Sequence, residues 1–308
     1  MCKFHLALAI FLIAAPSINS SAQTKNIAER LGYPADSKLL ILHADDLAVA
    51  HSEDAASFAA LDSRAVTSAS IMVPCPWLTE VADYAKAHPD ADLGLHLTLT
   101  SEWKTYRWGP VSSSNTVPSL LDPSGNLWPE VEPAERNIKA DDAEREIRAQ
   151  IEHAVAMGIH PTHLDSHMGV LFVRPDLFAV YVKVAHDYKL PFLTFLGPNT
   201  PPAMASVLSD KDILINTIVI ANPSVGAANW KDFYLTAIQN LKPGVTEFIV
   251  HLGHDDAELQ AVMVDHPDYG AAWRQRDYDV MTSPEFKKSL EENHIILIHW
   301  KDLKKLLN

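Results

Sequence analysis

Residues 39–46 read Leu-Leu-Ile-Leu-His-Ala-Asp-Asp, a run of aliphatic residues that ends in a histidine and two carboxylates. A short and nearly continuous apolar run is typical of a strand that is buried on both faces of a parallel sheet. Successive strand residues point to opposite faces, so Asp45 and Asp46 can share one site only where the strand ends and the chain bends. Active sites of (β/α) barrels form at that end of the strands. A solvated turn with an acidic helix cap is the alternative for this pair.

Apolar runs of the same kind recur along the chain, with helical stretches between them. They cover residues 39–43, 69–73, 93–99, 192–196, 213–220, 248–252 and 295–299, with a weaker and more polar candidate at 162–167. The clearest helix covers residues 141–156, with Asp141 as its N-cap and Gly158 at its end. Seven or eight strands that alternate with helices predict an α/β fold, an irregular and TIM-like (β/α) barrel. A doubly wound open sheet is the alternative.

The composition is that of a globular protein, because 47% of the 308 residues are hydrophobic and 21% are charged. The formal net charge of −14 argues against nucleic-acid binding and against docking onto anionic lipid, since both need cationic side chains. The chain has only two cysteines, Cys2 and Cys75, which excludes a disulfide framework and a cysteine-rich zinc module.

The N-terminus has the pattern of a secretory signal peptide over residues 1–22. Lys3 precedes a short apolar run, and small residues lie before Gln23. A membrane anchor is the alternative, but the run is shorter than the roughly 20 residues that a membrane span needs. We therefore expect an exported protein, periplasmic or extracellular, with one barrel domain over residues 23–308 and no stable membrane insertion after cleavage. An aromatic-rich insertion covers about residues 101–140.

Four predicted strand ends carry histidine or carboxylate side chains. Besides Asp45 and Asp46 they are His96, the alternating set His163, Asp165 and His167, and the late histidines His251 and His254. For each motif alone, a core histidine or a solvated polar loop is the alternative. An Asp with two His forms a catalytic metal site with open positions, and the remaining carboxylate and histidine can act as base and acid. Because all four ends would meet at one barrel face, the set favours metal-assisted hydrolysis.

These motifs, in their order along the chain, resemble those of the YdjC-like carbohydrate deacetylases, a family that includes chitooligosaccharide deacetylases. The similar stretches are LLILHADD, VTSASIMVPCPW, LGLHLTLT, PTHLDSHMG and FIVHLG. The resemblance implies a (β/α) barrel related to that of other polysaccharide deacetylases. It also implies removal of acetyl groups from N-acetylated sugars with one divalent metal ion. Two His and one Asp favour Zn over Mg on ligand type, and Mg stays open as the alternative.

The resemblance implies a role for each motif residue. Asp45 matches the base, His251 matches the histidine that protonates the leaving amine, and the metal ligands match Asp46, His96 and His167. Asp165, His163 and His254 are then expected near the ligands or the substrate. The chain departs from the family pattern at His43, where asparagine is usual, and at residues 168–170, where further histidines are usual.

The expected partner is an N-acetylated sugar or oligosaccharide, and the sequence leaves a homo-oligomer open. The insertion carries four aromatic residues that could stack on sugar rings or could pack the insertion onto the barrel: Trp103, Tyr106, Trp108 and Trp128. One rival function is another metal-dependent amidase or a phosphoesterase. A phosphate substrate usually needs Arg or Lys at the site, and few lie near the motifs, with Arg107 as the main candidate. A non-catalytic sugar-binding barrel is the second rival.

Overall fold

The computed structural model describes residues 25–197 and 199–307. The predicted signal peptide, residues 1–22, lies outside the described residues. Within the described ranges, none of the helices combines the length and the apolar character that crossing a bilayer would require.

Seven parallel strands of the described chain form one sheet, which is the architecture of a parallel half-barrel. The strands are β1 (Lys38–Leu47), β2 (Ser68–Ile71), β3 (Leu93–Leu97), β4 (Leu164–Ser166), β5 (Thr217–Ile220), β6 (Gly244–Val250) and β7 (Ile296–Leu297). Their order in the sheet is β4-β3-β2-β1-β6-β5, and β7 pairs with the first residues of β1.

Helices lie between the strands along the chain, and most of them pack in the large hydrophobic cluster. They are α1 (Ile27–Arg30), α2 (His51–Asp62), α3 (Leu78–Ala87), α4 (Val131–Asn137), α5 (Ala140–Ala156), α6 (Pro175–Tyr188), α7 (Pro202–Ala205), α8 (Trp230–Asn240), α9 (Ala257–Val262), α10 (Ala271–Met281), α11 (Pro284–Glu292) and α12 (Trp300–Lys304). Helices lie between successive strands, as expected for parallel strands, because a parallel pair needs a crossover connection.

Strand β1 lies at the centre of the sheet, and its two faces meet different surroundings. Leu40 and Leu42 belong to the large hydrophobic cluster that includes the helices. Leu39 and Ile41 belong to a smaller cluster with Trp300 on the opposite face. Since side chains alternate along a strand, the face that carries Leu39 and Ile41 continues with residues 43 and 45. That inner face is therefore apolar at the start of β1 and polar at its end.

The predicted run at residues 192–196 is not a strand, and this expectation was wrong. Phe192 makes one isolated bridge to Leu164 of β4, and Phe195 and Leu196 are 42% and 38% exposed. The segment starts after Pro191, which lacks a backbone N–H. Its backbone hydrogen bonds to neighbouring segments are single bonds and do not form a continuous ladder. The structure therefore confirms a parallel sheet of seven strands in the described residues but not the predicted closure into a full barrel.

The predicted helix at 141–156 is confirmed, but its N-cap is not Asp141. Helix α5 begins at Ala140 after Lys139, which makes no side-chain cap. The next carboxylate, Asp142, accepts hydrogen bonds from the backbone N–H and the hydroxyl of Ser119 in the insertion. The first-turn carboxylate thus anchors the insertion to the helix rather than capping the helix itself.

Candidate metal centre and active site

Strand β1 ends in an irregular turn that brings both carboxylates to the same edge of the sheet. Its pairing with β2 shifts register between Ala44 and Leu47, so the residues between them are a bulge. Asp46 and Ala48 have φ angles of 72° and 79°, a left-handed conformation that is unusual for residues other than glycine. The N–H of Ala48 donates to the Asp54 carboxylate at 2.7 Å, which holds the turn. Such strain is typical of functional sites.

The Asp46 carboxylate lies between two histidines from neighbouring strands. Its Oδ1 atom is 3.4 Å from His96 Nε2 and 3.4 Å from His167 Nδ1. All three residues are buried, and Asp46 Oδ1 has no hydrogen-bond partner among the described residues. Ligands about 2.0–2.2 Å from one ion lie about 3–3.5 Å from each other, so these three atoms fit a single divalent ion.

Each of the two histidines is oriented by a second carboxylate. His96 Nδ1–H donates to Asp165 Oδ1 at 2.6 Å, and His167 Nε2–H donates to Glu102 Oε2 at 3.0 Å. The opposite ring nitrogen of each then faces Asp46 and can offer a lone pair to an ion once it is deprotonated, which is the usual arrangement of metal-ligating histidines. Glu102 is absent from the sequence-based candidates, although it follows closely after the strand that carries His96.

Two other sets of three aspartate and histidine residues, which share Asp165, are less suitable for holding a metal ion. They combine Asp165 with His43 and His163, or with Asp45 and His96. In both groups Asp165 already uses its two oxygens, since Oδ2 accepts from His43 Nε2 at 2.9 Å and Oδ1 accepts from His96. Of the three groups, Asp46, His96 and His167 are therefore the residues that could best hold a metal ion.

The charges around Asp46, His96 and His167, which we call the Asp46 cluster, favour a positive charge between these three side chains. Burial alone would raise the pKa of Asp46, but the positive charges of the Arg274 guanidinium and of the nearby His167 ring hold it well below its usual value. Burial alone would lower the pKa of His167, but Glu102 and Asp46 raise it to about 10. A proton or a divalent ion can supply this charge, so we expect metal binding to release a proton.

Arg274 on helix α10 is a further buried partner of the cluster. Its Nη2 atom is 2.8 Å from Asp46 Oδ2, and its Nη1 atom is 2.6 Å from Glu53 Oε1. All three side chains are almost completely buried. The guanidinium occupies the side of Asp46 that faces away from His96 and His167. Neither Arg274 nor Glu53 is among the residues that the sequence singled out.

We expect Arg274→Met to lower the free energy of unfolding of the metal-free protein by about 3–5 kcal/mol, because it leaves buried carboxylates without their partner. Urea denaturation in the presence of a chelator measures this loss. Arg276→Met is the control, since Arg276 is partly exposed and lies over the Trp230 ring. An equal loss in both variants would contradict a special role for the Arg274 ion pairs.

Asp45 and His251 both lie next to the Asp46 cluster. Asp45 Oδ2 is 3.6 Å from His96 Nε2, and Asp45 Oδ1 is 3.1 Å from His43 Nε2. His251 Nε2 is 4.0 Å from Asp46 Oδ2. Burial, together with the charge of Arg274, lowers the pKa of His251 to about 4 against the opposing effect of Asp46, so this ring is neutral at pH 7. The structure thus brings together all five residues for which the family resemblance implies catalytic or metal-binding roles.

Two of the three residues expected near the ligands or the substrate do not contact Asp46 in the described structure. Asp165 is part of the cluster, but the fully buried His163 ring stacks on Trp300 with ring centroids 4.9 Å apart, behind His43. The His254 ring packs against Tyr278, with centroids 4.9 Å apart. Neither ring is among the contacts of Asp46. His163 precedes β4 and His254 lies in the loop between β6 and α9, so strand alternation does not fix the direction of either side chain.

The insertion's aromatic residues are used mainly for packing. Trp103 and Trp108 are only 2% and 4% exposed, so neither ring has an open face for stacking on a sugar. The partly buried Tyr106 and Trp128 donate hydrogen bonds to the backbone oxygens of Val49 and Ser119, respectively. The packing alternative therefore applies to Trp103 and Trp108, and substrate contact by the other two stays a prediction.

Exposed apolar side chains occur just after β4 and in the 192–196 segment. Met168, next to His167, is 39% exposed and has a left-handed φ of 51°. Phe192 of this segment forms an isolated parallel bridge with Leu164 of β4, and Phe195 follows three residues later. The Phe195 ring contacts Phe172, with centroids 6.4 Å apart. We call Met168, Phe172 and Phe195 the apolar shelf.

Together, the parallel α/β sheet and the buried carboxylate–histidine cluster at its strand ends define an α/β protein with a candidate hydrolytic metal site. The chain belongs to the YdjC-like family, whose sequence model, described as "YdjC-like protein", matches residues 39–292. This match covers all the strand ends that carry the cluster.

Curated relatives of the chain are named as sugar deacetylases. The carbohydrate deacetylase of Thermus thermophilus is 32% identical over 277 residues, which are 87% of this chain and 95% of that protein. The carbohydrate deacetylase of Geobacillus stearothermophilus is 27% identical over 271 residues, or 86% of this chain and 98% of that protein. The chitooligosaccharide deacetylase of Yersinia enterocolitica is 31% identical over 160 residues, or 50% of this chain and 58% of that protein.

A solved structure shares the fold. It comes from Enterococcus faecalis and is provisionally named a cellobiose-phosphate cleavage protein. It superimposes with a TM-score of 0.74 at 24% sequence identity, over 87% of this chain and 99% of the other. At this identity the similarity supports the fold alone.

Proposed function

We propose that the protein is a metal-dependent carbohydrate deacetylase that hydrolyses the acetamide of N-acetylated sugars. The observation that carries the proposal is Asp46 Oδ1, a buried atom without a hydrogen bond among the described residues and 3.4 Å from nitrogens of His96 and His167. The family membership and the names of the curated relatives support the substrate class.

Asp46, His96 and His167 would hold the ion. A divalent ion in this position polarises the acetyl carbonyl and lowers the pKa of water at the site. Two nitrogen ligands and one carboxylate favour zinc over magnesium. Asp165 and Glu102 contribute by fixing the rings of His96 and His167 in the orientation that leaves the correct nitrogen free.

Asp45 acts as the general base and takes the proton of the attacking water. Its carboxylate lies beside His96 but is not among the ligand atoms around Asp46 Oδ1, so it is available for proton transfer. His43 contacts Asp45 Oδ1 and directs the other oxygen towards the site. A positioned carboxylate base of this kind contributes about 10²–10⁴-fold to the rate.

His251 gives a proton to the departing amine. Because burial lowers its pKa to about 4 in the free protein, the ring takes up a proton from solvent during the reaction, and Asp45 returns the proton of the attacking water to solvent after turnover. Negative charge that develops on the carbonyl oxygen in the transition state raises the pKa of a nearby histidine and so favours this step. The backbone N–H of His251 donates to the Asp277 carboxylate at 2.9 Å, which fixes the strand end that carries the ring.

The surroundings of the cluster suit a neutral substrate better than a phosphate ester. Arg274 is buried and already paired with Asp46 and Glu53, and Arg107 forms an ion pair with Asp122. Both arginines are therefore engaged and not free to bind a phosphate. This argues against the phosphoesterase alternative. Asp45 argues against a purely sugar-binding protein, because binding alone does not need a base.

We propose that a sugar ring next to the acetamide lies on the apolar shelf. Phe195→Ala should then raise KM for an N-acetylated disaccharide by about 2–10-fold with kcat little changed, since an aromatic contact contributes about 0.5–1.5 kcal/mol. Steady-state acetate release measures both constants. Val155→Ala, on the outer face of α5 and 48% exposed, is the control. Equal KM values for Phe195→Ala and the native protein would contradict the contact.

Acetate release from a panel of N-acetylated and O-acetylated sugars tests the proposed substrate class. We expect release from N-acetylated mono- or oligosaccharides by the purified mature protein. Release only from O-acetylated sugars would replace the amidase assignment with an esterase. No release from any sugar, by a folded protein that binds one metal ion, would favour another metal-dependent hydrolase.

We also propose that residues 1–22 direct export and are removed before Gln23. N-terminal sequencing of the protein purified from the outside of producing cells tests this cleavage. A native protein that retains Met1 and stays in the cytoplasm would contradict the proposal.

A further inference from the structure

His43 occupies an unusual place directly beneath the proposed base. Its side chain is fully buried on the inner face of β1. The Nε2 atom lies 2.9 Å from Asp165 Oδ2 on β4 and 3.1 Å from Asp45 Oδ1 on β1. The Nδ1 atom lies 2.7 Å from Ser68 Oγ on β2. One ring nitrogen therefore contacts two carboxylates from different strands, and the other nitrogen fixes the ring.

We propose that His43 is a positioning residue that holds two carboxylates of the site at once. It keeps Asp45 in place as the base, and through Asp165 it fixes the orientation of the proposed ligand His96. This inference rests on the proposed function, because it assigns His43 a role in that same site. His43 itself does not touch the reacting atoms.

The charges around His43 explain why a histidine suits this position. Two carboxylates that share a buried space repel each other, and their burial is unfavourable without a donor between them. The N–H at Nε2 points into that space. On the opposite side, Glu247 Oε1 lies 3.9 Å from Nδ1 and accepts a hydrogen bond from Trp300 Nε1. His163 packs with its ring perpendicular to His43, with centroids 4.9 Å apart.

The protonation of His43 agrees with this arrangement. Burial alone would lower its pKa, but the hydrogen bonds to Asp165 and Asp45 and the charge of Glu247 raise it well above its usual value. A neutral asparagine, the residue that the family resemblance leads one to expect here, is shorter and uncharged. It cannot supply the positive charge that now lies between the two carboxylates.

A purely structural role for His43 is the alternative, and His163 provides the matched control. Both histidines are fully buried and their rings touch, but His163 contacts Thr162 and Trp300 and makes no contact with Asp45. Substitution of either histidine by asparagine removes a buried ring of the same size. Loss of packing should therefore affect both variants, whereas loss of positioning should affect only His43→Asn.

The experiment compares His43→Asn with His163→Asn by two independent measurements. The first is kcat and KM for acetate release from the best substrate of the panel. The second is the zinc dissociation constant of the metal-free protein, measured by competition with a chelating dye. For His43→Asn we expect kcat to fall about 10–100-fold with KM within threefold, and zinc affinity to fall about 10-fold or more, as for other partners of metal-ligating histidines. For His163→Asn we expect kcat and zinc affinity within threefold of the native values.

Two results would overturn the positioning role. The first is a His43→Asn variant with native kcat and native zinc affinity. The second is an equal loss of kcat and zinc affinity in both variants when they have also lost the same amount of stability. If His43→Asn does not fold, His43→Gln, which reaches farther, replaces it in the same comparison. If the native protein releases no acetate from any sugar, the proposed function fails, but the zinc measurement still decides whether His43 positions the cluster.

Discussion

Asp45→Asn should lower kcat for acetate release by about 10²–10⁴-fold while the protein remains folded and binds zinc normally. Asparagine keeps the size and the hydrogen-bonding reach of the side chain but cannot accept the proton of the attacking water. The zinc site should survive, because the atoms assigned to the ion come from Asp46, His96 and His167. Steady-state kinetics, thermal unfolding and metal content measure the three parts of this prediction.

Asp92→Asn is the matched control for Asp45→Asn. Asp92 is also buried, but it contacts Thr162 and the backbone N–H of Lys301 at the opposite end of the strands. We expect Asp92→Asn to change stability and to leave kcat within threefold. Retention of more than a tenth of the native kcat by Asp45→Asn would show that another group is the base.

His96→Ala should remove both tight metal binding and activity. The substitution deletes one of three proposed ligands and leaves Asp165 without the nitrogen that it contacts at 2.6 Å. We expect the zinc dissociation constant to rise by at least about 100-fold and kcat at limiting zinc to fall below detection. Isothermal titration of the metal-free protein with zinc measures the affinity.

The control for His96→Ala is His163→Ala, which removes a fully buried histidine that faces Trp300 instead of Asp46. Its zinc affinity should match that of the native protein. If His96→Ala binds zinc with native affinity, the ion is held elsewhere, and the assignment of Asp46, His96 and His167 does not stand.

The central strand and the convergence of the strand ends could be predicted from the sequence because both follow from simple periodicity. A continuous apolar run identifies β1, and alternation puts residues 39, 41, 43 and 45 on one face. Parallel strands end at one edge, so polar residues after several runs must approach each other. The observed distances between Asp46, His96 and His167 agree with this prediction.

The partners that complete the cluster could not be predicted in this way. Arg274 lies in a helix 228 residues after Asp46, and Glu53 lies in the helix that follows β1. Charged helix residues are usually solvated, and nothing in their spacing marks these two as buried. Glu102 is similar, because its contact with His167 depends on how the insertion folds back over the strands.

The run at residues 192–196 and the tryptophans show a different limit. An apolar pentapeptide favours a strand, yet Phe195 and Leu196 remain partly exposed beside β4. Conversely, Trp103 and Trp108 looked like possible sugar contacts and are buried. Residue type alone does not distinguish an aromatic ring that packs from one that is presented to a ligand, because both uses bury apolar surface.

Acetate release by chelated protein, measured while zinc is added back, tests the central claim most directly. The substrate would be the N-acetylated sugar that the native protein hydrolyses fastest. We predict no release from the metal-free protein and full recovery when one zinc ion is bound per chain, with magnesium restoring less. Full acetate release by a protein shown to be free of metal would contradict the account.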